Sequence, residues 1–168
     1  MLLDDLYDYK NQLMRDLCEN EEIVRLVTKS SDAQVPNYDL PYSQIFPFGY
    51  VPETVDDAKS FICFDVDITY VPNKTVYLPS IYIWVFTHVS NLRMPDGSGI
   101  RIDRLASAVD HILNGSRIYG MGELALSTAT RFSPIKDYLG KVLAYSTKEW
   151  NRTAANRKPT PRNRKNHD

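Results

Sequence analysis

From Ile81 to Val89 the chain reads Ile-Tyr-Ile-Trp-Val-Phe-Thr-His-Val, and no other stretch limits the possible folds as tightly. Its β-branched and aromatic residues suit a pleated strand better than a helix. Successive side chains on a strand point to opposite faces, so Ile81, Ile83, Val85 and Val89 share one face while Tyr82, Trp84 and Phe86 make the other. Both faces are apolar, and a strand of that kind needs cover on both sides. Helices of the same domain can supply one cover. The Tyr82, Trp84, Phe86 stripe is then either core beneath a further element or half of a contact with a sibling subunit, since aromatic residues dominate interface cores.

The neighbouring segments supply the partners. Residues 61 to 70 alternate, with Ile62, Phe64, Val66, Ile68 and Tyr70 on one side and Phe61, Cys63, Asp65, Asp67 and Thr69 on the other, the period of a half-buried strand. Pro72, Asn73 and Lys74 read as a turn, followed by a return strand through Thr75 to Leu78 or onward. Ile102, Leu105, Val109, Ile112 and Leu113 recur at steps of three and four, and Asn114-Gly115 closes that helix with a left-handed stop. Two strand candidates follow, Glu123 to Phe132 and Leu139 to Trp150, separated by Pro134, Lys136 and Asp137. At the front, Leu6, Leu13 and Leu17 form a helical stripe, and Asn20 caps a second helix whose buried side is Ile23, Val24, Leu26 and Val27. The order predicts an α+β fold: an antiparallel β-sheet with N-terminal helices and one helix packed on the sheet.

The domain is expected to run from 1 to 150. Within it, residues 30 to 60 carry Pro36, Pro41, Pro47 and Pro52 interleaved with Tyr38, Tyr42, Phe46, Phe48 and Tyr50. Proline removes backbone donors, so this is an irregular arm, yet one too aromatic to be merely solvated. It either wraps its own domain or reaches a neighbouring subunit. Beyond it all lies a basic tail, 151–168, with Arg152, Arg157, Lys158, Arg162, Arg164 and Lys165 against Asp168 alone. Residues 1 to 22 hold seven acids against Lys10 and Arg15. With a net charge of -1 for the whole chain, a surface that grips nucleic acid all over is excluded. The tail is expected to be solvated and flexible, to touch phosphates by unspecific charge, or to order on an acidic protein surface.

No constellation for catalysis emerges. Asp65 and Asp67, on one strand face, are the best candidate for a metal-dependent nuclease, and Asp103 or Glu123 could add a third carboxylate. Two acids on the solvent face of a sheet are equally what alternation produces. Asp110 beside His111 is no dyad, because sequence neighbours on a helix diverge, and His88 reads as a hydrogen-bonding residue at a strand end. Cys18 and Cys63 have no partner cysteine or histidine at ligand spacing. The glycines fit no phosphate-binding motif. The expectation is a protein that is not an enzyme, with no catalytic residue, cofactor or metal. Asp4 and Asp5 stand where a signal peptide would carry Lys or Arg, and no apolar run spans a bilayer, so no membrane partner is expected.

The arm Pro41-Tyr42-Ser43-Gln44-Ile45-Phe46-Pro47-Phe48-Gly49-Tyr50-Val51-Pro52-Glu53-Thr54, the strand Phe61 to Ile68, the run Ile83 to His88 and the segment Gly99-Ile100-Arg101-Ile102-Asp103-Arg104-Leu105 together resemble neck proteins of tailed bacteriophages. The resemblance is to the tail terminator or tail-completion (head-tail joining) group, in element order over about residues 1 to 150. It implies a structural virion protein, assembled in the host cytoplasm, that forms a ring, usually a hexamer, at the head-tail junction. Such a ring ends the tail tube and joins it to the head-side connector. The implied partners are further copies of the chain, the tail-tube protein and the connector or stopper protein, with DNA passing through the channel without sequence-specific binding. A head-side stopper or adaptor is the alternative within the same assembly. A heterologous contact repeated about an axis closes into such a ring from one subunit type. The candidates for the subunit interface are Phe46, Phe48, Tyr50, Tyr82, Trp84 and Phe86; those facing the channel are Asp65 and Asp67.

Overall fold

Asn20 divides the N-terminal helical segment in two. Its Oδ1 accepts from the Ile23 N–H at 3.0 Å and its carbonyl from the Val24 N–H at 3.0 Å, so α1 (Leu3–Glu19) ends and α2 (Glu21–Thr28) begins at one capping residue. Glu21 and Glu22 occupy the first turn of α2, where the helix dipole favours negative charge. The structure, a computed structural model, describes residues 3–28, 39–52, 58–73 and 75–150.

After α2 the described elements are β1 (Ile45–Phe46), β2 (Ser60–Tyr70), β3 (Val76–His88), a 3₁₀ turn (Val89–Asn91), α3 (Arg101–Leu113), β4 (Ala125–Phe132), β5 (Tyr138–Ser146) and β6 (Glu149–Trp150). The fold is α+β, as the element order implies. The strands lie in the order β1-β2-β3-β5-β4, with β6 on the early end of β3. All pairings are antiparallel except β1 with β2, which is parallel, so the sheet is mixed rather than purely antiparallel. The parallel pair comes from the arm, which brings Ile45 beside Ile62 from outside any hairpin.

β3 is one continuous strand, so the return strand expected from Thr75 to Leu78 or onward runs on through Pro79 into the apolar run. Pro79 is tolerated because β5 has ended there: Ser80 is the last residue paired to β5, and the Pro79 carbonyl accepts from Thr147 N–H instead. A register shift between Ile68 and Tyr70 also ends the alternation of β2, so that Tyr70 pairs with Leu78.

The helices cover one face of the sheet. Ile62, Phe64, Ile81, Ile83, Leu143 and Tyr145 are buried there with Leu13, Leu17, Ile23 and Leu105. Polar groups tie the layers together as well. The Gln44 Nε2 donates to the carbonyls of Val27 and Ser60, at 3.0 Å each, joining the end of α2 to the start of β2. The buried Arg101 guanidinium donates to the Leu26 carbonyl at 2.8 Å and the Asn91 carbonyl at 3.0 Å. Gly115, at φ 84°, closes α3 in the left-handed conformation.

Candidate interaction surface

The opposite face of the sheet reads in rows. Phe61, Phe86, Gly140 and Phe132 make the first; Cys63, Trp84, Val142 and Thr130 the second; Asp65, Tyr82, Ala144 and Thr128 the third; and Asp67, Ser80, Ser146 and Ala125 the fourth. Polarity rises from the first row to the last.

The first row is enclosed by the chain itself. Phe46 stacks on Tyr50 with centroids 4.1 Å apart, both meet Phe61, and Phe61 packs on Phe86 at 5.4 Å. Tyr138 and Phe132 close the other side of Phe86, at 6.0 and 5.9 Å. Phe46 and Phe86 are buried within one copy. Of the six aromatic residues considered for a subunit contact, these two are therefore taken up internally, because the described part of the arm wraps its own domain here. Phe48, Tyr50, Tyr82 and Trp84 keep accessible surface.

Tyr82 and Trp84 lie nearly parallel, 6.1 Å apart, and both are half-buried. Trp84 packs against the edge of the Phe46, Phe61 and Phe86 cluster, and beside the smaller cross-strand neighbours Val142, Ala144 and Thr128 part of each ring stays open.

Asp65 is paired with Lys10 of α1 and also accepts from the Val66 N–H at 2.8 Å. Asp67 is exposed. The two additional acids considered for a metal site do not converge on them. Asp103 holds Lys141 at 2.6 Å, and Glu123 holds Arg117. Among the described residues, no three acidic, cysteine or histidine side chains gather at one point. His88 Nδ1 lies 2.8 Å from Ser90 Oγ and caps the 3₁₀ turn, while Asp110 accepts from Tyr145 Oη at 3.0 Å and His111 is exposed. Burial raises the thiol pKa of both Cys18 and Cys63 to about 11. The basic tail, with Arg152, Arg157, Lys158, Arg162, Arg164 and Lys165, lies outside the described residues. No described helix is long and apolar enough to cross a membrane.

Periodicity does not mark Phe132 and Tyr138 as parts of the aromatic cluster, since one ends β4 and the other starts β5.

What the fold defines is an α+β protein whose sheet is sealed by helices on one side and only half sealed by its own arm on the other. The chain belongs to the YomW family, which it matches over residues 20–147, and that family is phage-derived. No match was found among curated proteins.

Proposed function

We propose that this protein is a structural component of a tailed-phage virion, forming a ring at the head-tail junction that ends the tail tube and joins it to the connector. The observation that carries the reading is the half-buried Tyr82–Trp84 pair on the second face of the sheet, in a chain of a phage-derived family. Partly open aromatic side chains beside smaller neighbours are suited to a protein contact, where they bury large area at little conformational cost. In this reading the protein is not an enzyme, and its partners are further copies, the tube protein and the connector. Asp67, exposed and outside the Lys10–Asp65 pair, is the acid left to repel DNA phosphates in a channel.

Two measurements test this. Antibody-gold labelling of purified virions should mark the neck, and purified protein should halt elongation of tail-tube protein in solution. Label confined to fractions free of virions, with unchanged tube length, overturns the reading. Label at the neck with binding to connector proteins and none to tube protein would move the protein to the head side, as a stopper or adaptor.

A further inference from the structure

The two edges of the sheet are unlike each other. All of β4 from Ala125 to Arg131 is exposed, Phe132 is half-buried, and no described element pairs with its outer side. β4 carries Arg131 near its end and a register shift between Leu126 and Thr128, but no lysine or proline, so its unpaired edge is a template for another strand.

Which backbone groups face outward follows from the rows. The Ile62 N–H donates to the Gln44 carbonyl, on the β1 side, and the Val66 N–H turns the same way, to Asp65 Oδ1. N–H and C=O of one residue point to the same side of an antiparallel strand, and neighbouring rows alternate. Across the rows Phe64–Ile83–Leu143–Ala129 and Ile62–Val85–Lys141–Arg131, this alternation leaves Ala129 and Arg131 with backbone groups aimed away from the sheet. Leu126, opposite Tyr145, is oriented likewise.

At the other edge, β2 is closed by β1 at Ile62 and Cys63 and by the Asp65–Lys10 pair as far as Val66. From Asp67 to Tyr70 it is exposed, and Ile68 is the residue there whose backbone points outward by the same alternation. The two openings match in three respects. β4 runs opposite to β2, so an in-plane neighbour places them antiparallel, the geometry of nearly all the sheet. At both openings the residues with outward backbone, Leu126 and Ile68, carry side chains on the helix-covered face. Both are apolar and left partly open, at 39% and 37%.

We infer that the outer edge of β4 in one copy pairs antiparallel with the Asp67–Tyr70 end of β2 in a second copy, bringing Leu126 against the neighbour's Ile68 and continuing the sheet across subunits. The contact is heterologous, so its repetition closes a ring or extends a filament. It deepens the ring reading and rests on it for closure alone.

Sedimentation velocity of the full chain at about 100 μM, with circular dichroism as the check on folding, tests the contact. The wild type is expected to associate. Leu126→Lys and Ile68→Asp, both at exposed sites, should each fold and weaken association at least tenfold. An equimolar mixture of these two should associate again, because one seam is then native and the other pairs Lys with Asp. A monomeric wild type overturns the inference, as does association that survives both variants. Loss with Leu126→Lys but not Ile68→Asp overturns it in favour of a two-fold β4–β4 contact. Neck labelling of virions is independent of these results, so the contact can fail while the ring reading stands.

Discussion

Gly140 lies against Phe86 so closely that a β-carbon built on it would sit 2.6 Å from the Phe86 β-carbon, with the Val85 carbonyl oxygen still nearer. The two residues are cross-strand partners on the half-covered face, and the missing side chain is what lets Phe86 pack between Phe61 and Tyr138. Gly140→Ala must push strand β5 away from β3. It should destabilise the protein by about 1–3 kcal/mol, the cost of overpacking a closed site, as read from urea denaturation.

Gln44 uses both amide hydrogens, on Val27 and Ser60. Gln44→Ala leaves two carbonyls without that donor and loosens the described arm from α2. The expected loss is about 1–3 kcal/mol, and hydrogen exchange should rise at Ile62, whose N–H donates to the Gln44 carbonyl.

Tyr119 donates to Asp16 at 2.6 Å and Tyr145 to Asp110 at 3.0 Å. Burial first, then these hydrogen bonds and the nearby carboxylate charge, push both phenols far above their ordinary value of 10. The unfolded chain releases these protons near pH 10 while the folded chain keeps them, so the folded state holds more protons above that pH. Their contribution to stability is therefore complete below about pH 10 and is lost as the pH rises beyond it. Titration followed at the phenolate absorbance should show fewer tyrosines ionising in the native protein than after unfolding. Replacing Tyr119 and Tyr145 with Phe should shrink that difference by two.

Cys18 and Cys63 are buried, and both thiols are raised to about 11, so little thiolate exists at pH 8. A disulfide reagent should label neither in the native state at that pH and both in denaturant. Rapid labelling of Cys63 without denaturant would mean that the Phe46–Tyr50 cover opens readily, since the Cys63 Sγ faces the Tyr50 carbonyl at 3.8 Å.

Local signals carried much of the fold. Asn20 marked a helix start because capping is chemistry between residues three apart, and Asn114-Gly115 marked a helix end for the same reason. The alternation from Phe61 to Ile68 announced a strand with an apolar and a mixed face, and Tyr82, Trp84 and Phe86 announced that one helical layer was not enough. Periodicity states which face is apolar; it is silent on what lies against it. That Phe86 is enclosed by Phe61, Phe132 and Tyr138, with Phe46 and Tyr50 over Phe61, while Trp84, two residues earlier, stays half open was settled only when the arm and the turn before β5 came together across the sheet. The same holds for β4, whose Ala-Leu-Ser-Thr pattern reads alike at an edge or in the middle of a sheet. Strand order arises from long-range pairing, and only that pairing left Leu126 and Ile68 at the two open ends.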